Sequence, residues 1–170
     1  MDRQKMLPLP YLPRAIAVVS SQDAAGYGDF LKHIAANPYG FRFCTTLFQA
    51  LMQGEKSPSS IASRIGEIAA SGLYDLIVIL RGGGADSDLF GYDDRALCET
   101  IARCPVPIIT AIGHERDFHI ADMVAKDFCK TPTALADALI EWVAGVEREV
   151  TDALTGIRFA LTSFCAQRDG

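Results

Sequence analysis

Apolar residues recur along this chain with two different periods. Short, nearly unbroken runs at RAIAVVSS (14–21), FRFCTTLFQAL (41–51), YDLIVILRGGG (74–84) and VPIITAIGH (106–114) read as strands. The third run is almost continuously apolar before Arg81, the pattern of a strand covered on both faces. Between the runs lie segments with helical spacing. Residues 24–38 carry Phe30, Leu31, Ile34 and Ala35 on one side and stop at Asn37-Pro38. Residues 57–72 follow the second run, with Ser57 placed to cap the helix, Pro58 suited to its first turn and Gly72 to its end. Residues 95–105 halt at Pro105.

This alternation predicts an α/β fold, a Rossmann-like parallel sheet of at least four strands with helices on both faces. Right-handed crossovers then gather the C-terminal ends of the strands along one edge. From Thr131 the pattern changes. Apolar side chains at 139, 143, 146, 150, 153, 157, 161 and 164 step by threes and fours along one helical face. Thr131 can cap this helix and Pro132 suits its first position. A helix longer than ~25 residues points to a coiled coil or a lever leaving the domain, and its stripe wants a partner. The expected organisation is an N-terminal arm at 1–13, an α/β domain at 14–136 and the start of a long helical segment at 137–170.

Composition narrows the class. The 170 residues suffice for one hydrophobic core, and 49% apolar with 22% charged content fits a soluble globular chain. No run approaches the ~20 apolar residues of a membrane helix, and MDRQKMLPLPYLP has no signal-peptide h-region, so no membrane association is expected. Five cysteines, Cys44, Cys98, Cys104, Cys129 and Cys165, show no CxxC spacing and read as reduced thiols of a cytoplasmic protein rather than a zinc site. A net charge of −5 argues against a broad phosphate-binding face on this piece.

The chemistry collects in loops that follow strands. Asp23 and Asp29 follow the first. RGGGADSDLF, with Arg81, Gly82, Gly83, Gly84, Asp86 and Asp88, follows the third. HERDFH, with His114, Glu115, Arg116, Asp117 and His119, follows the fourth. Convergence of these loops at one sheet edge defines a candidate site. The three glycines allow close approach of backbone to a phosphate, or a tight turn; the pattern is neither GxGxxG nor a P-loop. Arg81 ends a buried strand, where a guanidinium can grip an oxyanion or form a structural salt bridge to a nearby Asp. His114 and Asp117, three apart, suit a histidine whose tautomer an aspartate holds for acid–base work. His33, beside Lys32 on a helix, reads as a solvated face residue. Asp122 and Asp127 read as solvated or capping, and His119 and Glu115 admit either reading.

LPRAIAVVSS with AAGYGDF, DLIVILRGGGADSDLFGYDD, PVPIITAIGHERDFHIADMVA and KTPTALADAL together resemble the exodeoxyribonuclease VII large-subunit family across roughly residues 10–142. The combination RGGG-x3-DL-x3-(N/D)-(D/E), GHE-x-D-x2-IAD and a TPTA helix start is specific to it. The resemblance implies an exonuclease on single-stranded DNA with catalytic positions at Asp29, Arg81, His114 and Asp117. It also implies no required divalent metal, so that magnesium is not essential, and a small subunit bound through the long helix. The chain departs from the usual pattern at Ala85, Phe90 and Asp93, where the family often has Ser, Trp and Asn. Those departures bear on substrate contacts rather than core chemistry. The family's N-terminal OB-fold domain and most of its coiled coil are not in this sequence, which is expected to be an excised catalytic domain with much of the phosphate-gripping surface elsewhere.

Two rival classes stand beside that reading. A nucleotide- or sugar-phosphate-binding module would use RGGG but has no need of a His–Asp pair. A scaffold would depend on the long helix and be indifferent to His114.

Overall fold

The computed structural model describes residues 3–81, 86–113 and 118–168. In chain order these form α1 (Arg3–Met6), β1 (Ala15–Ser20), α2 (Ala25–Ala35), β2 (Cys44–Gln49), α3 (Ser57–Ser71), β3 (Leu76–Leu80), a 3₁₀ segment (Asp86–Asp93), α4 (Arg95–Arg103), β4 (Ile108–Ala111), α5 (Ile120–Val124), β5 (Asp127–Phe128) and α6 (Pro132–Arg168). The sheet has five strands in the order β2-β1-β3-β4-β5, and every pairing is parallel. The expected α/β architecture, with helices on both faces, is therefore present.

Strand alternation divides the core. Leu76, Val78 and Leu80 of β3 face Phe30 and Ile34 of α2 and Leu135, Ala136, Leu139 and Ile140 of α6. Ile77 and Ile79 face the other way, toward Ile61, Ile65 and Ile68 of α3 and Leu97 and Ile101 of α4. With both faces covered, β3 has no solvent side, which accounts for its unbroken apolar sequence. The chain order reverses between β1 and β3, and the side chain of Ser20 donates to the carbonyl of Leu80 across that junction at 2.9 Å. This is the topological switch point, where doubly wound folds hold their ligands at the C-terminal ends of the strands.

Local signals explain most boundaries. Gly72 ends α3 at φ 64°, the left-handed conformation that favours glycine. Asp94 caps α4 by accepting from the Leu97 N–H, and Thr131 caps α6 by accepting from Ala134 N–H at 3.1 Å. Ser57 does not cap α3 as its sequence suggested. It is the buried first residue of the helix, and Gly91 lies so close to its hydroxyl that a Cβ there would fall 2.8 Å from Oγ. The N-terminal arm carries α1, whose buried Gln4 donates to the carbonyls of Cys104 and Val106 and accepts from Ile108 N–H. A fifth strand, β5, lay outside the sequence pattern because two residues are too short to show a period.

Candidate functional site at the C-terminal sheet edge

Arg81 follows directly on β3, and its N–H still pairs with the Ala111 carbonyl of β4 at 3.1 Å. The alternation along β3 carries on through it, so Arg81 points to the α3–α4 side of the sheet. It is only 3% exposed. A permanent cation at that depth needs compensating groups nearby. Tyr92 marks the neighbourhood. Burial raises its hydroxyl pKa well above the ordinary value; the positive field of Arg81 opposes that shift and the negative field of Asp122 adds to it. The Tyr92 hydroxyl donates to the Met52 carbonyl at 3.0 Å.

Asp29 sits about one turn into α2, exposed, on the opposite side of the sheet from Arg81. The two predicted residues thus approach the same edge from different faces. Gly82, Gly83, Gly84, His114 and Asp117 lie outside the described residues, as do Glu115 and Arg116. Asp23 lines a polar crevice of about 600 Å³ at this edge, together with Ser21, Gln49, Gln53, Ser60 and Arg64. Among the described residues, no group of three or more His, Cys, Asp or Glu side chains could hold a metal ion.

Around the two motif loops the structure adds a polar network that sequence reasoning did not assemble. Thr110, fully buried on β4, donates its hydroxyl to Asp122 Oδ1 at 2.5 Å. The other Asp122 oxygen accepts the His119 N–H at 3.2 Å. Asp93, at the end of the 3₁₀ segment, accepts the Ile120 N–H at 2.7 Å and meets His119 Nδ1 at 3.3 Å. Asp122 is therefore a buried capping residue of α5 rather than a solvated one, and His119 is a buried anchor. The sequence did carry one hint: a threonine inside the apolar run PIIT needs a hydrogen-bonding partner when it is buried. Asp127 lies exposed in β5 and accepts from Phe128 N–H.

At the same edge Phe118 and Phe128 stand exposed with ring centroids 4.9 Å apart and planes at 62°. Phe90, also exposed, follows the glycine loop. His33, expected on a solvated face, instead contacts Asp137 Oδ1 of α6 through Nε2 at 2.6 Å while remaining partly exposed.

The arrangement is that of a doubly wound α/β protein with a buried arginine at the strand edge and a polar network of Asp93, His119, Asp122 and Thr110 on the same side. A family model described as exonuclease VII, large subunit, matches residues 1–169, and the chain belongs to that family. A curated exodeoxyribonuclease 7 large subunit from Cyanothece sp. is 36% identical over 148 residues, which is 87% of this chain and 34% of the relative. The protein of that name from Nostoc sp. is 35% identical over 87% of this chain and 35% of its own length. The one from Koribacter versatilis is 33% identical over 94% of this chain and 34% of its own length. This chain thus spans about a third of the curated relatives it matches.

Proposed function

We propose that this chain is the catalytic α/β domain of an exonuclease that hydrolyses phosphodiester bonds in single-stranded DNA. The observation that supports it most is the buried Arg81 at the end of β3, hydrogen-bonded through its backbone to β4, in a chain of this family. Phosphodiester hydrolysis needs an activated water, charge stabilisation on the phosphate and a proton for the leaving oxygen. His114 serves as the proton-transfer group, held in one tautomer by Asp117. Arg81 neutralises the charge that grows on the non-bridging oxygens, and Gly82, Gly83 and Gly84 contribute backbone N–H donors to the phosphate. One preorganised donor of this kind is worth ~3 kcal/mol of barrier. Asp29, across the sheet from Arg81, suits water activation better than alignment of the guanidinium.

The unpaired state of the substrate fits the exposed rings of Phe90, Phe118 and Phe128, because bases freed from a duplex stack on aromatic faces. In the outer half of α6, the exposed side chains of Val150, Leu154, Ile157, Leu161 and Phe164 step 4-3-4-3, the seam of a coiled coil. That seam is the surface for the small subunit. The reaction needs no divalent metal, and the protein works in the cytoplasm. The test is turnover of a 5′-labelled single-stranded oligonucleotide by the assembled two-subunit enzyme. Chelator should leave the rate largely intact. Arg81→Lys should cut it roughly a hundredfold or more, because a planar two-donor contact becomes a point charge. Full loss in EDTA that a divalent metal restores, or unchanged turnover in Arg81→Lys, would contradict the assignment.

A further inference from the structure

We propose that Asp93 and His119 form a clasp that sets the two motif loops at the correct distance from one another, making them positioning residues for the reaction. The inference rests on the nuclease reading above. Both loops start from a fixed line, since the N–H of Arg81 is bonded to the carbonyl of Ala111. Both end on a second fixed line. The first ends in the 3₁₀ segment at Asp93, and the second ends at His119 and Ile120, the entry to α5. Asp93 joins these ends with both oxygens, Oδ1 on Ile120 N–H and Oδ2 on His119 Nδ1.

The clasp is itself held from behind. Asp122 secures the His119 N–H and is tied through Thr110 to β4. Gly91 seats the 3₁₀ segment against the start of α3, at a separation no larger residue would tolerate without displacing Ser57. His119 is 8% exposed, and its Nε2 is buried without a hydrogen-bond partner. An imidazole enclosed in this way cannot meet a substrate atom directly. Its contribution is placement, which is transmitted to the residues between Ala111 and His119, namely the stretch that carries His114 and Asp117.

Placement errors act on turnover more than on binding: a misplacement of about 1 Å costs roughly a hundredfold in rate. The geometry of Asp93 predicts an ordered series. In Asp93→Asn the amide oxygen still accepts from Ile120 and the amide N–H donates to Nδ1, so most of the turnover is kept. In Asp93→Gln the same groups sit one methylene further out, and in Asp93→Ala they are absent. His119→Ala should behave like Asp93→Ala, and the double variant should be no worse than either single one, as expected of residues that act as a unit.

The experiment measures kcat and KM on a single-stranded oligonucleotide with the full two-subunit enzyme, with His114→Ala run alongside. The inference expects kcat to fall at least tenfold in Asp93→Ala and Asp93→Gln with KM within about threefold of wild type, and Asp93→Asn to recover most of it. Wild-type kcat in Asp93→Gln while His114→Ala is inactive would overturn the clasp and leave the nuclease reading intact. An Asp93→Asn variant as impaired as Asp93→Gln would also overturn it. Full activity in His114→Ala would instead remove the nuclease reading on which the clasp depends.

Discussion

At the residue scale the described thiols divide by environment. Cys98 and Cys129 are each pushed up to about 11, in both cases by burial first; carboxylates add to the shift, Asp93, Asp94 and Asp122 around Cys98 and Asp127 beside Cys129. Cys104 is raised by burial as well. Cys44 is exposed on β2. At neutral pH an alkylating reagent mapped by mass spectrometry should modify Cys44 well before Cys98, Cys104 or Cys129, because the thiolate is the reacting form. The same shifts set an alkaline limit. Folded-state values above the ordinary 9.0 mean that the fold favours the neutral thiol, so this contribution is whole below pH 9 and is lost as pH rises toward 11. Urea midpoints should be flat from pH 7 to about 8.5 and fall above 9. A midpoint that rises across that window would show the thiols to be ionised in the fold.

Element by element, the sequence was most readable where a segment was long and its period clear. β1, β3, β4 and helices α2, α3 and α4 fall where the apolar spacing put them. β5 escaped because two residues carry no period, and α1 because its anchor is one buried glutamine bonded to residues 100 and 102 positions away. The stripe of α6 was legible, but not its division into two parts. Leu135, Ala136, Leu139 and Ile140 are buried against β3 and α2, whereas Val150, Leu154, Ile157, Leu161 and Phe164 are exposed. Spacing reports that a face is apolar; what covers it depends on where the helix leaves the sheet. Leu139→Ala should therefore destabilise the α/β domain by about 2–5 kcal/mol. If the exposed seam is the small-subunit surface proposed above, Leu154→Asp and Ile157→Asp should leave the melting temperature nearly unchanged and abolish co-purification with that partner. Loss of the fold in the second pair would place the docking boundary further along the helix.

On the scale of the whole molecule, the site was legible as a set of residue types at one sheet edge and not as a set of contacts. The sequence singled out Arg81 and Asp29, but it could not show that they approach the edge from opposite faces. The bonds that join Asp93 to His119 and Thr110 to Asp122 span 26 and 12 residues. Such separations are set by topology and leave no spacing to read. Size matters for activity too. The chain spans about a third of its relatives and carries a net charge of −5, a poor basis for holding a polyanion. On the proposed nuclease reading, the 170-residue chain alone should turn over at least ~100-fold more slowly than the assembled two-subunit enzyme on the same oligonucleotide, because its net charge is negative. Equal rates would show that this span suffices for the proposed catalysis.

The most direct test of the central claim is the turnover of single-stranded oligonucleotide by assembled enzyme carrying His114→Ala, with DNA affinity measured on the same preparation. His114 shares with His119 the side-chain type that both accepts and donates a proton near neutral pH, and His119 is buried in the Asp93 and Asp122 contacts. Its removal should lower kcat by at least ~100-fold, in line with the worth of a positioned acid–base group, and leave DNA binding and the melting temperature close to wild type. Wild-type turnover in His114→Ala would show that the reaction is not carried by this loop.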